Sequence, residues 1–161
     1  MTDGFETRRA ARLAAVQALY QMELTGEDAE TVNHEFVEHR LGREPEISGG
    51  DADAAFFGEI LRGVPKHQVE IDRSISKVLA ADWRLERVDS ILRAILRAAA
   101  FELIARRDVP AKAVIDEYVD VAHAFFSGDE PNFVNAALDK LAHRKRAPEF
   151  GETPPDDELQ F

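Results

Sequence analysis

Apolar residues recur at three- and four-residue intervals through nearly all of this chain, and that period limits what it can fold into. The stretch from Leu85 to Ala105, "LERVDSILRAILRAAAFELIA", shows it most strongly. Ile91, Ile95, Ala98 and Ala99 share one face, and Leu92, Leu96 and Leu103 widen it, so the pattern predicts a central, deeply packed helix. No run alternates with period two over strand length, and no internal repeat is evident. The fold class is therefore all-α, with about seven helices.

The remaining elements follow from period and punctuation. A first helix is expected from Thr7, a residue suited to the N-cap, with Leu13, Val16, Tyr20 and Leu24 as its apolar stripe. A shorter helix is expected from Thr31 to His39. The loop "LGREPEISGGD" gathers glycine and proline, so residues 41–50 are expected to be mobile. Two helices are expected over 52–64 and 66–80, divided near "RGVPK" because proline lacks the amide hydrogen and biases its predecessor against helix. After "RRDVPAKAV", with Asp108 or a neighbour as cap and Pro110 in the first turn, a helix carries two stripes: Val114, Tyr118, Val121, Phe125 and Ile115, Val119, Ala122, Phe126. A last helix is expected from Phe133 to Arg144, with Val134, Ala137, Leu138 and Leu141 inward.

Length and composition set the frame around these helices. A chain of 161 residues makes one domain, here two helical halves over roughly 5–80 and 83–147, and can bury a core without staples. It contains no cysteine, which removes disulfides, thiolate nucleophiles and cysteine zinc sites. "MTDGFETRR" has no apolar stretch of the signal-peptide kind, and no later segment approaches a membrane span, so a soluble, cytoplasmic protein is expected. The net charge of −11 is unevenly spread: +1 over residues 1–20, −9 over 21–59, +2 over 60–147 and −5 over 148–161. The prolines and acids of "PEFGETPPDDELQF" suit disorder. Because the acidity is local, a polyanionic ligand on a basic face remains compatible with it.

Little in the sequence points to catalysis. His34, His39, His67, His123 and His143 include no i, i+4 pair and no HExxH arrangement that would aim two imidazoles at one zinc ion. Asp116, Glu117 and Asp120 read as the solvated face of an amphipathic helix. No glycine-rich phosphate loop or serine elbow is present. The chain reads as a non-enzyme without cofactor or metal.

The arginines raise the functional question. Arg8 and Arg12 are i, i+4 neighbours on the first helix, and Arg9 lies nearly in line with Val16 and Tyr20. Like charges at that spacing cost a few tenths of a kcal/mol. A helix N-terminus also favours acids over bases. The cluster therefore suggests an external anion, the alternative being a solvated helix start. Arg93 has Asp89 four residues before it as a natural partner. Arg97 lacks one on its own helix, which leaves a partner on another helix or a ligand. Phe133 sits about 100° from Val134 around its helix, at the edge of the buried face; its ring could stack on a base or fill a gap between loops. Tyr20 is open between core packing and the same aromatic role.

Three segments, "RRAARLAAVQALYQMEL", "ILRAAAFELIARRDVPAKAVIDEYVDVAHAF" and "NFVNAALDKL", resemble the bacterial NusB family in order and spacing. The resemblance implies an all-helical fold of two packed subdomains without enzymatic activity. It further implies binding of the boxA element of nascent single-stranded RNA, jointly with the small-subunit ribosomal protein called NusE in this role. The resulting RNA polymerase antitermination complex passes terminators, notably in ribosomal RNA transcription. On this resemblance Arg8, Arg9, Arg12 and Phe133 are RNA-binding, and Tyr20 and Arg97 are candidates beside them. The chain departs from the family pattern at Ala136, where glycine often follows "FVN", and at Asp116, where asparagine is common. Two other readings remain: an accessory module related to RNA cytosine methyltransferases, and a protein-interaction adaptor without RNA binding. Such proteins occur as monomers and homodimers.

Overall fold

The computed structural model describes residues 4–41, 53–81 and 83–158. Among these lie seven α-helices, α1 (Gly4–Thr25), α2 (Ala29–His39), α3 (Ala54–Lys66), α4 (Gln68–Val78), α5 (Ser90–Ala105), α6 (Ala111–Phe125) and α7 (Glu130–Lys145), with 3-10 turns at Leu85–Arg87 and Ala147–Phe150. No strand occurs among the described residues. The chain divides into two compact units, up to Lys66 and from His67 onward. The expected division near residue 80 falls elsewhere because α4 packs on α5 and α7. Residues 42–50 of the expected mobile loop lie outside the described residues.

In the first unit α1 packs on α3 and α2, and α2 on α3. The inward face of α1 holds Val16 of the expected stripe, fully buried, but otherwise lies to one side of it. Ala11, Ala14, Ala15, Ala18 and Leu19 are buried, whereas Leu13 and Tyr20 are half-buried and Leu24 is exposed. Alanines thus make up most of the buried face, with Val16 and Leu19 among them. α1 also begins at Gly4, so Thr7 lies within it rather than capping it. The true caps are acids: Asp28 accepts from the Thr31 amide at 2.8 Å, and Asp53 accepts from the Phe56 amide at 2.9 Å. Gly26, with φ of +77°, closes α1 by donating its amide to Met22, a left-handed position that glycine fills without strain. Phe36 and Phe57 stack at 5.4 Å and are fully buried, each contributing about 1.5–3 kcal/mol of burial. Pro65 lies inside the last turn of α3, so the helix runs two residues past the expected end and breaks at His67. A proline so near a C-terminus removes one terminal hydrogen bond only.

The second unit is built around α5, which contacts α4, α6 and α7. From Leu92 to Ile104 every residue except Arg97 is buried. The expected start at Leu85 is resolved into a 3-10 turn and a separate helix, because Asp89 caps α5 by accepting from the Ile91 and Leu92 amides. Arg93 turns back to donate to the carbonyls of Leu85 and Val88 at 3.1 and 2.5 Å. Glu102, fully buried, accepts from the Tyr118 hydroxyl of α6. Glu117 also turns inward, leaving Asp116 and Asp120 as the exposed members of the acid cluster. α7 starts three residues earlier than expected, with Pro131 in its first turn, and buries Val134, Ala137, Leu138 and Leu141.

Arg146, 2% exposed, closes the C-terminal end of α5. Its guanidinium donates to the carbonyls of Leu103 at 2.6 Å, Arg106 at 2.8 Å, Val109 at 2.9 Å and Glu102 at 3.3 Å, and to Glu149 at 2.6 Å. A cation among the last carbonyls of a helix meets both their unpaired lone pairs and the negative end of the dipole. Glu149 in turn accepts from the Ala111 amide at the start of α6.

The tail differs from the disorder that its composition suggests. Within its described part, to residue 158, Glu152 pairs with His143, Asp157 with Lys77 and Arg144, and Glu158 with Arg144 and Lys145; residues 159–161 lie outside the described residues. Opposite charges on α4 and α7 supply partners that composition alone cannot reveal.

Candidate nucleic-acid interface

The basic cluster of α1 is only partly outward. Arg9 is exposed. Arg8 is half-exposed, with its Nε 3.9 Å from Asp53 and its guanidinium carbon 5.1 Å from the centre of the Phe56 ring. Arg12 is 3% exposed and lies 5.0 Å from the same ring centre. The inward shift of the α1 face carries Arg12, three residues before Ala15, into the contact with α3. The local conflict read from the sequence is thus relieved in part by Asp53 and Phe56 rather than wholly by an external anion.

Arg97 has the cross-helix partner left open by the sequence. Its Nε and Nη2 meet the two carboxylate oxygens of Asp72 on α4 at 2.8 and 2.9 Å, a bidentate geometry that fixes both side chains. Tyr20 is half-buried at the edge of α1.

Phe133 is half-buried, and its ring packs against Trp83 at 5.1 Å with the planes tilted by 33°. Trp83, 51% exposed, is an aromatic that the sequence reading passed over. The signal was present, since it is the only tryptophan of the chain, but it lies between predicted elements where no periodicity assigns a face. The pair borders a cavity of about 180 Å³ that Val78, Leu79, Ala80, Ala136, Ala137 and Lys140 complete. Ala136, where the sequence departs from the family's usual glycine, sits in this wall.

A second hollow of about 440 Å³ shares Val78, Leu79, Ala80 and Lys140 with the first and adds Lys77, Asp139, His143 and Arg144. The two form one groove between the C-terminal end of α4 and one side of α7, aromatic at one end and mainly cationic at the other. Such an arrangement offers π-faces for bases and point charges for a phosphodiester backbone. Among the described residues no group of three or more His, Asp or Glu could hold a metal ion. None of their helices is long and apolar enough to cross a membrane.

Fold and groove together define an all-α protein with an aromatic and basic cleft. The family model described as the NusB family matches residues 9–143, and the chain belongs to that family. It is 53% identical over 146 residues to the transcription antitermination protein NusB of Maricaulis maris, covering 89% of this chain and 90% of that one. It is 51% identical over 142 residues to the protein of the same name from Caulobacter vibrioides, covering 88% and 95%. Among solved structures, T. maritima NusB superposes with a TM-score of 0.73 at 30% identity, covering 89% of this chain and 96% of that chain. The family is thus one of transcription antitermination proteins.

Proposed function

We propose that this chain is a non-catalytic antitermination factor of the bacterial cytoplasm that binds boxA-type single-stranded RNA jointly with the ribosomal protein acting as NusE. The observation that carries the reading is the Trp83–Phe133 pair, one ring half-exposed and the other beside it, opening onto a groove with Lys140 in its wall. Unstacked bases of single-stranded RNA find sequence-tolerant partners on such rings. Cations further along the groove suit the backbone that joins them. In the first unit Arg9 and the half-exposed Arg8 are the members of the α1 cluster that face solvent, and they supply a second basic surface. Arg97 and Arg12 act in this reading as structural residues, because Asp72 and Phe56 engage them. No role in RNA binding is assigned to Tyr20.

The deciding experiment is titration of a boxA-type RNA oligomer with the wild-type chain and with Trp83→Ala and Phe133→Ala, each with and without the NusE partner. Truncation of either ring weakens binding by about 1–3 kcal/mol, the scale of one base on an aromatic. Unchanged affinity in both variants would overturn the reading. Retained binding of NusE without any RNA affinity would instead favour the protein adaptor, the alternative that the partial internal engagement of Arg8 and Arg12 supports.

A further inference from the structure

The cationic end of the groove has an occupant on one side. Asp157 lies with its carboxylate 2.9 Å from Arg144 Nη2 and 3.5 Å from Lys77 Nζ, and its carbonyl accepts from Lys77 at 2.6 Å. Glu158 lies 2.9 Å from Arg144 Nε and meets Lys145, whose side chain is 1% exposed. Glu152 meets His143 Nδ1 at 2.5 Å. Three consecutive residues of α7, His143, Arg144 and Lys145, and Lys77 of α4 are thus contacted by acids of the tail. Lys77, His143 and Arg144 are also lining residues of the larger hollow, which continues through Lys140 to Trp83 and Phe133. The tail places carboxylates along a basic edge, negative charges on cations that phosphates of a bound strand would also seek.

We infer that the Lys77–Arg144 edge is a phosphate-backbone site for single-stranded RNA, held in this structure by the chain's own acidic tail, which competes with RNA for it. The inference rests on the RNA-binding reading above and deepens it by naming a backbone site and its internal competitor. The competition has a definite sense. A tethered segment acts at an effective concentration set by its short linker, so exposed ion pairs that are weak singly still lower the apparent affinity for an outside anion. Asp157 is displaceable, since its side chain is 66% exposed and the groove is open beside it. Its carboxyl is held below the ordinary aspartate range, first by the hydrogen bond from Arg144, against an opposing effect of burial, with the charges of Arg144 and Lys77 adding to the lowering. It therefore stays anionic wherever RNA is stable. Glu158, paired with the buried Lys145, is the anchor about which the segment before it lifts.

The test compares RNA affinity and its salt dependence in the full chain, in Asp157→Asn, and in a chain ending at Gly151. Asp157→Asn keeps the Glu158–Lys145 pair, so it is the variant that folds if truncation harms stability. Asp116→Asn, an exposed acid of α6 that does not line the groove, makes the same change in net charge and serves as the control. Competition predicts that Asp157→Asn tightens binding about two- to fivefold, the range of exposed ion pairs, while Asp116→Asn leaves it nearly unchanged. In the truncated chain the slope of log K against log salt steepens by about 1.4, at about 0.7 for each of the two cations released. Equal affinity in all three tail forms, with RNA binding still lost in Phe133→Ala, overturns the tail's role and leaves the RNA reading standing. Equal gains in Asp157→Asn and Asp116→Asn also overturn it, by reducing the effect to net charge. RNA binding absent from every form overturns both.

Discussion

Arg12 lies against the face of Phe56, its guanidinium carbon 5.0 Å from the ring centre and its side chain almost wholly withdrawn from water. A desolvated pair of this kind contributes about 2 kcal/mol, and the arginine stem adds packing. Arg12→Ala therefore lowers the urea midpoint by the equivalent of about 2 kcal/mol. Arg9→Ala, on the exposed side of the same turn, shifts stability by less than about 0.5 kcal/mol. In RNA titrations Arg9→Ala reduces the salt slope by about 0.7 if that residue meets a phosphate. A stable Arg12→Ala protein would show that the ring contact contributes little.

Neighbours within one motif should respond in opposite ways. Val134 is fully buried on the inward face of α7, so Val134→Ala costs roughly 1–3 kcal/mol of stability. Its RNA affinity, measured while folded, stays near that of the wild type. Phe133→Ala loses RNA affinity by about 1–3 kcal/mol and only about 0.5–1.5 kcal/mol of stability, the worth of its contact with Trp83. Paired thermal melts and titrations separate the two.

Arg146 is the residue whose loss should be most damaging to the second unit. Arg146→Met leaves the carbonyls of Glu102, Leu103, Arg106 and Val109 without this donor, at a cost of about 3–5 kcal/mol. Denaturant unfolding reads this directly. Glu149 belongs to the same cluster. Burial would raise its pKa, but the Ala111 amide and Arg146 together hold it below the ordinary glutamate value. A depressed carboxylate stabilises the fold above its unfolded pKa, and that contribution disappears as pH falls through the folded value. The acid limb of a stability–pH curve should therefore be shallower in Glu149→Gln.

His143 titrates in the other direction. The hydrogen bond to Glu152 raises its pKa, burial opposes the rise, and the charges of Glu152 and Asp139 add to it. Protonated imidazole thus stabilises the docked tail below the unfolded histidine pKa, and the effect is lost as pH rises through the raised folded value. Melting at pH 6 and pH 8.5 should show a decrease in the wild type that is smaller in Glu152→Gln. Phe150, stacked on His143 at 3.9 Å, should become more accessible to protease at the higher pH.

The helices were legible because burial imposes a period, and α7 shows this well: Val134, Ala137, Leu138 and Leu141 were read inward and are buried. On α1 the expected face holds at Val16 but fails at Leu13, Tyr20 and Leu24, because large residues were weighted over the alanines that are buried there. That single rotation explains the misplacement of Arg12. Pro65 was read as a break because a local rule cannot tell a last turn from an interior one. Arg97 could be narrowed only to a partner on another helix or a ligand, since Asp72 is distant in sequence. The tail was misread for the same reason: its acids look solvated until Lys77, Arg144 and Lys145 are placed opposite them. Trp83 lies in a connection where no pattern speaks.

The family model's match ends at His143, three residues before Arg146. A boundary drawn at the end of that match would cut α7 in its final turn and remove the cation that gathers the carbonyl end of α5. The packed unit is therefore longer than the stretch that the family model matches. Its closing residues meet an obligation of backbone chemistry, the pairing of the last carbonyls of α5, which a local sequence pattern does not announce.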